Sequence, residues 1–201
     1  MSEERLDVGP AILEVLARRW SPRAWADRPV EAESIELCLE AARWAASSMN
    51  QQPWYFIVAT REQPDAHERL VACLSDGNAP WARRAPVLML SVAQQTFDVD
   101  GRPNRFAWHD TGLATAALMG QATALGMHVH AMGGFSRTKA RELFGIPKGC
   151  DPVAAIAMGY LGDPDSLAEE LRETETAPRS RRPCRAWVFT DAWGRPSPLV
   201  E

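Results

Sequence analysis

Apolar and polar positions follow two different spacings along this chain, and each spacing predicts one kind of element. Ile35, Cys38, Leu39 and Ala42 recur at the interval of one helix face, so a helix with one buried side is predicted here, ending before the polar residues that begin at Ser47. Short apolar runs rich in β-branched and aromatic residues are typical of buried strands. The predicted strands cover residues 54–59, 86–93, 127–132, 152–160 and 187–190. Both patterns in one chain indicate a mixed α and β fold.

Further helical patterns lie around these strands. They begin near Pro10 and cover residues 65–74, 108–125, 137–144 and a short charged stretch that ends at residue 171. The longest one, residues 108–125, is small on nearly every side because it carries Gly112, Ala116 and Gly120 among other small residues. Neighbours can approach such a helix closely, so we expect it at the centre of the fold or at a dimer interface.

Two polar stretches separate these elements at points where a ligand could bind. Residues 94–105 contain turn signals such as Asp100-Gly101 and are predicted to form a mobile loop. Residues 47–52 join a helix end to the strand that begins after Pro53. Side chains on a loop held by rigid elements can be directed at a ligand, although an ordinary helix-to-strand turn has the same pattern.

Composition and charge narrow the class of protein. The chain has 201 residues, of which 46% are hydrophobic, so residues 1–201 are expected to form a single domain. A net charge of −4 without a basic face favours neither nucleic acid nor an anionic membrane as partner. The start, MSEERLDV, lacks the apolar core of a secretory signal, and residues 114–119 are too few to span a bilayer. We therefore expect a soluble, cytoplasmic protein.

Cysteine and histidine spacing gives little reason to expect a metal. The four cysteines are far apart and resemble small buried hydrophobes of a reducing compartment. His128 and His130 could share a strand face and a metal, but no further ligand lies at a suitable spacing. No nucleophile elbow, dinucleotide-binding glycine motif or suggestive carboxylate pair is present either.

Arginines cluster at two distant points of the chain. Arg19, Ser21 and Arg23 leave the first predicted helix, and residues 178–185 form a second basic cluster in an otherwise acidic protein. Guanidinium groups can hold phosphate oxygens in pairs, yet arginines are also common at solvated helix ends and loops. A third feature, the Gly133-Gly134 pair at a strand end, could expose backbone amides to a flat ligand or form only a tight turn.

The loop and its flanks resemble a signature of the flavin-dependent nitroreductase family, Ala-Pro-Ser-Ser-x-Asn-x-Gln-Pro-Trp-x-Phe. The matching positions are Ser47, Ser48, Asn50, Gln52, Pro53, Trp54 and Phe56. Ala46 replaces the usual proline, which should change loop stiffness more than polarity. The resemblance implies that Ser47, Ser48, Asn50 and Gln52 bind FMN at its isoalloxazine ring, often across a dimer interface.

Other segments are similar to the same family in the same order. Arg19, Ser21 and Arg23, with Trp20 at a variable position, match an opening motif that holds the FMN phosphate and ring edge. Met132, Gly133 and Gly134 match a segment whose backbone N–H faces flavin N5, which makes the glycine pair the implied catalytic site. Asn78 is the counterpart of a flavin-binding asparagine. Late in the chain, residues that match a segment closing over the phosphate are Arg179, Arg181, Arg182 and Pro183.

The resemblance implies an α+β fold, a three-layer α-β-α sandwich around a mixed, mostly antiparallel sheet. It also implies an intertwined homodimer whose C-terminal segment reaches onto the partner. The expected activity is hydride transfer from NADH or NADPH through FMN to a small acceptor such as a nitroaromatic or quinone, without a metal. Two alternatives remain open: a flavin carrier or sensor without turnover, and a flavoenzyme of the same fold with another acceptor, such as a dehalogenase or oxidase.

Overall fold

The structure is a computed structural model that describes residues 12–200. Pro10 and the rest of the N-terminal stretch, on which the start of the first predicted helix and the signal-peptide argument depend, lie outside these residues. The described chain forms two compact units, residues 12–176 and residues 177–200, and each is considered by itself.

A four-stranded antiparallel sheet lies at the centre of the larger unit. Its strands are β1 (Trp54–Thr60), β2 (Val87–Gln94), β3 (His128–Met132) and β4 (Cys150–Gly159), in the spatial order β1-β2-β4-β3. Trp54 pairs with Ala93 in β2, and Met132 pairs with Ala155 in β4. All three pairings are antiparallel, so the described part of the chain contributes no parallel pair to the sheet.

Seven helices surround this sheet in the described residues. They are α1 (Glu14–Arg18), α2 (Ala32–Arg43), α3 (Pro64–Cys73), α4 (Ala79–Ala82), α5 (Ala107–Ala124), α6 (Arg137–Phe144) and α7 (Glu169–Thr176). The sequence explains several boundaries. Ser136 caps α6 by accepting a hydrogen bond from the Lys139 amide at 3.2 Å, and Gly145 ends it in the left-handed conformation. None of these helices is both long and apolar enough to cross a bilayer.

Two hydrophobic layers hold the helices to the sheet. On one face, Met89, Val129 and Ile156 pack with buried residues of α2 and α5, such as Cys38 and Leu118. On the other face, residues of α3, α4 and α6 pack against the opposite side of the strands, and this layer includes Leu70, Trp81, Leu88, Leu90, Met132 and Ala140. The three-layer α+β sandwich expected from the sequence is confirmed.

Residues 95–104, which follow β2, form an excursion in which Thr96 pairs with Pro103 and Phe97 is buried. The turn predicted at Asp100-Gly101 is present, with a φ angle of 71° at Gly101, and the mobility of this loop stays a prediction.

One prediction of local structure is wrong. The charged helix was expected to end at residue 171. The Asp163 side chain instead accepts a hydrogen bond from the Asp165 amide and caps a 3-10 turn, Pro164–Ser166. Because this turn takes the place of the first helical turn, the helix α7 begins later and covers Glu169–Thr176.

The predicted last strand is also wrong for the described chain. Residues 187–190 follow a 3-10 turn, Cys184–Ala186, and the segment makes only one isolated bridge, between Phe189 and Pro196. A strand needs a neighbouring strand to satisfy its backbone groups, and the smaller unit supplies none.

Candidate functional site

Residues 47–52, here called the signature loop, have an unusual backbone. Met49, Asn50 and Gln52 all adopt positive φ angles, of 54°, 53° and 49°. Left-handed backbone at residues other than glycine costs about 1–2 kcal/mol each and persists only where surrounding contacts enforce it. Such strain is concentrated at functional sites, so the loop is the first candidate for a binding surface.

Contacts from inside and outside the signature loop enforce this conformation. The Ser47 hydroxyl accepts a hydrogen bond from the Gln52 amide at 3.0 Å. The Ser48 amide donates at 2.9 Å to Oδ2 of Asp110, a buried residue in the first turn of α5. The other oxygen of this carboxylate, Oδ1, lies 2.9 Å from Nδ1 of the exposed His109.

The excursion at residues 95–104 packs against the signature loop. Oε1 of Gln51 accepts a hydrogen bond from the Asp98 amide at 3.2 Å, and an Arg102 guanidinium nitrogen lies 3.3 Å from the Met49 sulfur. The same guanidinium lies 4.9 Å from the centre of the Phe97 ring. This excursion, which the sequence indicated as a stretch where a ligand could bind, therefore forms one wall of the candidate site.

Residues 19–23, here called the arginine segment, follow α1. Arg19 donates to the Ser21 hydroxyl at 3.3 Å, so the two predicted side chains are adjacent. Both the Arg23 and Ala24 amides donate to Oε1 of Glu175, at 2.8 and 3.0 Å. The Arg23 guanidinium lies 4.0 Å from Oε2 of the same buried carboxylate and 5.9 Å from the Trp81 ring centre.

Two histidines of β3 lie next to the arginine segment. The Trp20 ring meets His128 edge-on at 6.0 Å, and His130 Nδ1 donates to the Pro22 carbonyl at 2.9 Å. Burial, together with the charges of Arg18 and Arg19, lowers the pKa of His128 to about 4. Burial also lowers the pKa of His130, although the bond to Pro22 opposes this. Both rings are therefore neutral at neutral pH, and the positive charge here comes from the arginines.

The Gly133-Gly134 pair, here called the glycine turn, follows β3 and is exposed. The Gly134 carbonyl accepts hydrogen bonds from the Ser75 amide and from Nδ2 of Asn78, each at 3.0 Å. A Cβ atom at Gly134 would lie 2.7 Å from Asn78 Nδ2 and 2.9 Å from the Ser75 hydroxyl, whereas one at Gly133 would meet nothing within 4 Å. Within residues 12–200, the Gly134 amide has no hydrogen-bond acceptor.

The structure brings only part of the predicted set together. Asn78 lies at the glycine turn and holds its carbonyl, while Met132 is buried beneath the turn at the end of β3. Arg179 and Arg181 belong to the smaller unit, where an Arg181 guanidinium nitrogen donates to the Ser180 carbonyl at 2.7 Å. In the described part of the chain, no three His, Cys, Asp or Glu side chains are grouped so that they could hold a metal.

Sequence reasoning missed Asp110 and Glu175. Each is separated from the segment that it holds, Ser48 by 62 positions and Arg23 by 152. For Asp110, the sequence did offer a signal, a carboxylate within an otherwise small and apolar helix. For Glu175 it offered no signal, because this residue lies in a stretch that is charged throughout.

This chain is similar to known proteins in both sequence and structure. The sequence model of the Nitroreductase family matches residues 16–73 and 61–160. A solved structure described as an oxidoreductase containing FMN is 32% identical, with a TM-score of 0.89, and the match covers 97% of this chain and 98% of that one.

Two curated proteins are also similar. An uncharacterized 15.4 kDa protein of Mycolicibacterium smegmatis is 35% identical over 63% of this chain and 84% of its own length. A protein of Archaeoglobus fulgidus named "Putative NADH dehydrogenase/NAD(P)H nitroreductase" is 29% identical over 78% of this chain and 89% of its own length.

Proposed function

Because the chain belongs to the nitroreductase family, we propose that it is an FMN-dependent oxidoreductase that transfers hydride from NADH or NADPH to a small acceptor. A nitroaromatic or a quinone is the acceptor class we favour. The observation that carries the proposal is the signature loop, whose three left-handed residues are held by contacts from α5 and from residues 95–104. Strain maintained in this way pre-organises polar groups for a ligand.

The donor groups of the larger unit fit FMN. Arg19 and Arg23 provide two guanidinium groups on one short segment, as a phosphate needs. The signature loop offers the polar groups of Ser47, Ser48, Asn50 and Gln52, which match the carbonyls and nitrogens of an isoalloxazine edge. When bound, FMN supplies the two-electron chemistry, and the protein supplies position and electrostatics.

We assign roles to this chain's residues accordingly. Arg19 and Arg23 hold the phosphate, while Trp20 and Ser21 lie beside them. Arg179 and Arg181 keep the phosphate role that the resemblance of their own segment implies. The signature loop and Asn78 fix the ring plane. The amide at the glycine turn, which follows Met132, would donate to flavin N5, and the turn would leave room for the nicotinamide and then for the acceptor.

We also propose that residues 1–201 act as a single FMN-binding domain, and that two such chains form a homodimer in the cytoplasm. The exposed apolar residues in α1 and just before it, namely Ile12, Leu13 and Leu16, support a covered surface in the assembled protein. The exposed side of α5, which carries Trp108 and Leu113, also supports a covered surface.

The test of function is a reduction experiment on the full-length protein. NADH or NADPH should bleach the yellow colour within seconds without oxygen, and a quinone or nitroaromatic should restore it. Steady-state kinetics should be ping-pong, with parallel double-reciprocal lines, because both substrates use one opening. If the protein bound FMN but neither nucleotide reduced it, a carrier or sensor role would replace the enzymatic one.

A further inference from the structure

Two carboxylates in the larger unit are almost completely buried. Glu175 is 2% exposed and Asp110 is 3% exposed, and within residues 12–200 no other Asp or Glu is buried. Burying a carboxylate is costly unless hydrogen bonds compensate for the lost water. Both residues receive that compensation from backbone amides of segments to which we assign FMN contacts.

Glu175 holds the arginine segment in two ways. One oxygen accepts hydrogen bonds from the consecutive amides of Arg23 and Ala24, and the other faces the Arg23 guanidinium. Hydrogen bonds to an ionised acceptor are about twice as strong as neutral ones. This carboxylate therefore fixes the backbone at Arg23 and limits the positions that its side chain can reach.

Asp110 holds the signature loop in a comparable way. Its Oδ2 accepts the hydrogen bond of the Ser48 amide, directly before the two left-handed residues Met49 and Asn50. Its Oδ1 is occupied by His109, which fixes the carboxylate plane. Because the loop conformation is strained, it depends on such an external anchor.

We propose that Glu175 and Asp110 are positioning residues for two different parts of FMN. Glu175 positions Arg23 for the phosphate, and Asp110 positions the signature loop for the ring. The inference rests on the proposed function. Beyond it, each buried carboxylate is assigned to a different chemical group of FMN.

Riboflavin distinguishes the two roles because it keeps the ring and lacks the phosphate. The full-length protein is freed of flavin and titrated with FMN and with riboflavin. Glu175→Ala should weaken FMN about tenfold and leave riboflavin within twofold, as expected for loss of hydrogen bonds to a charged group that serves the phosphate. Asp110→Ala should weaken both ligands by the same factor, again about tenfold.

A matched control removes a carboxylate that has two side-chain partners but lies away from both segments. Glu31 is exposed and accepts hydrogen bonds from Arg28 and Tyr160, so Glu31→Ala should change neither affinity. If an alanine variant fails to fold, Glu175→Gln and Asp110→Asn replace it, since each amide keeps one accepting oxygen. Faster hydrogen exchange at the Ser48 amide in Asp110→Asn, and at the Arg23 amide in Glu175→Gln, should accompany the same pattern of ligand losses.

The pattern of losses decides the assignment. Equal weakening of FMN and riboflavin by the Glu175 variants, or an unchanged riboflavin affinity in the Asp110 variants, would overturn it. Failure of the wild-type protein to bind FMN at all would instead refute the proposed function, so the two failures can be told apart.

Discussion

At the scale of single residues, Met49 combines a strained backbone with a side chain that contributes little burial. Its φ angle is 54° and the side chain is 67% exposed. Glycine has no Cβ and adopts this conformation without penalty, whereas alanine retains the penalty. The identity of the residue at position 49 should therefore alter stability mainly through the backbone.

We expect Met49→Gly to be more stable than Met49→Ala by about 1 kcal/mol in the free energy of unfolding, the typical cost of a left-handed residue other than glycine. Urea denaturation of both variants measures the difference. Because both lack the Met49 side chain and its contact with Arg102, the comparison isolates the backbone contribution. An alanine variant as stable as the glycine variant would show that the loop relaxes when flavin is absent.

His128 is the residue whose protonation should affect stability most clearly. It is 7% exposed, its pKa is lowered to about 4, and within residues 12–200 its buried Nδ1 has no hydrogen-bond partner. The unfolded chain binds the proton with the ordinary pKa of about 6.5. The unfolded state therefore takes up more protons as the pH falls, and the folded state loses stability between pH 6.5 and pH 4.

The expected loss from this one histidine is about 3 kcal/mol between neutral pH and pH 4. His128→Gln, which cannot titrate, should have a flatter dependence of unfolding free energy on pH than the wild type. Urea titrations at pH 7.5 and pH 4.5 measure the change. Parallel pH profiles for the two proteins would contradict the assignment of a neutral, buried ring.

At the scale of elements, the turn between β3 and α6 shows how two adjacent glycines differ. Space for a side chain exists at Gly133, but at Gly134 the space is filled by Asn78 and Ser75. A side chain at Gly134 would therefore act first on Asn78, whose hydrogen bond holds the turn.

We therefore expect Gly134→Ala to lower stability by about 1 kcal/mol through the loss of the Asn78 bond. Gly133→Ala is the matched control and should cost little, since its Cβ atom meets nothing within 4 Å. Thermal or urea unfolding of the two flavin-free variants makes the comparison. Equal stability of both alanine variants would mean that Asn78 does not hold the turn.

Elements with strong local signals were predicted well. α3, α5, α6 and strands β1 to β4 lie within about two residues of their predicted positions, because hydrophobic spacing and the cap at Ser136 act over a few neighbouring residues. The segment at residues 187–190 has an equally strong local pattern and yet forms no strand, since pairing needs a second strand that a local pattern cannot specify.

The site was also predictable only in part, because a local sequence pattern does not specify contacts between distant positions. The resemblance identified the signature loop, the arginine segment and the glycine turn, which are short contiguous stretches. The contacts that hold them join Ser48 to Asp110 and Arg23 to Glu175, across 62 and 152 positions. Such contacts arise from tertiary packing, and the wall formed by residues 95–104 arises in the same way.

At the scale of the whole molecule, α5 has two very different sides. Ala114, Leu118 and Ala122 are buried against the sheet and α2, as expected for a central helix. The opposite side is exposed in the single chain and carries mostly small or apolar residues, namely Trp108, Gly112, Leu113 and Ala116. α1, which carries the exposed Leu16, packs beside α5. Exposed apolar surface rimmed by polar residues is typical of protein interfaces.

We expect this side of α5 to form the homodimer interface, so a long charged side chain there should separate the subunits. Ala116→Arg should convert the dimer to a monomer in sedimentation velocity and release FMN, because each site would need residues from both subunits. Ala72→Arg is the matched control, since Ala72 is an exposed alanine of α3 on the other face of the sheet. That variant should remain dimeric and yellow. A wild-type protein that sediments as a yellow monomer would refute the interface, and an Ala116→Arg dimer with full flavin content would place the interface on another surface.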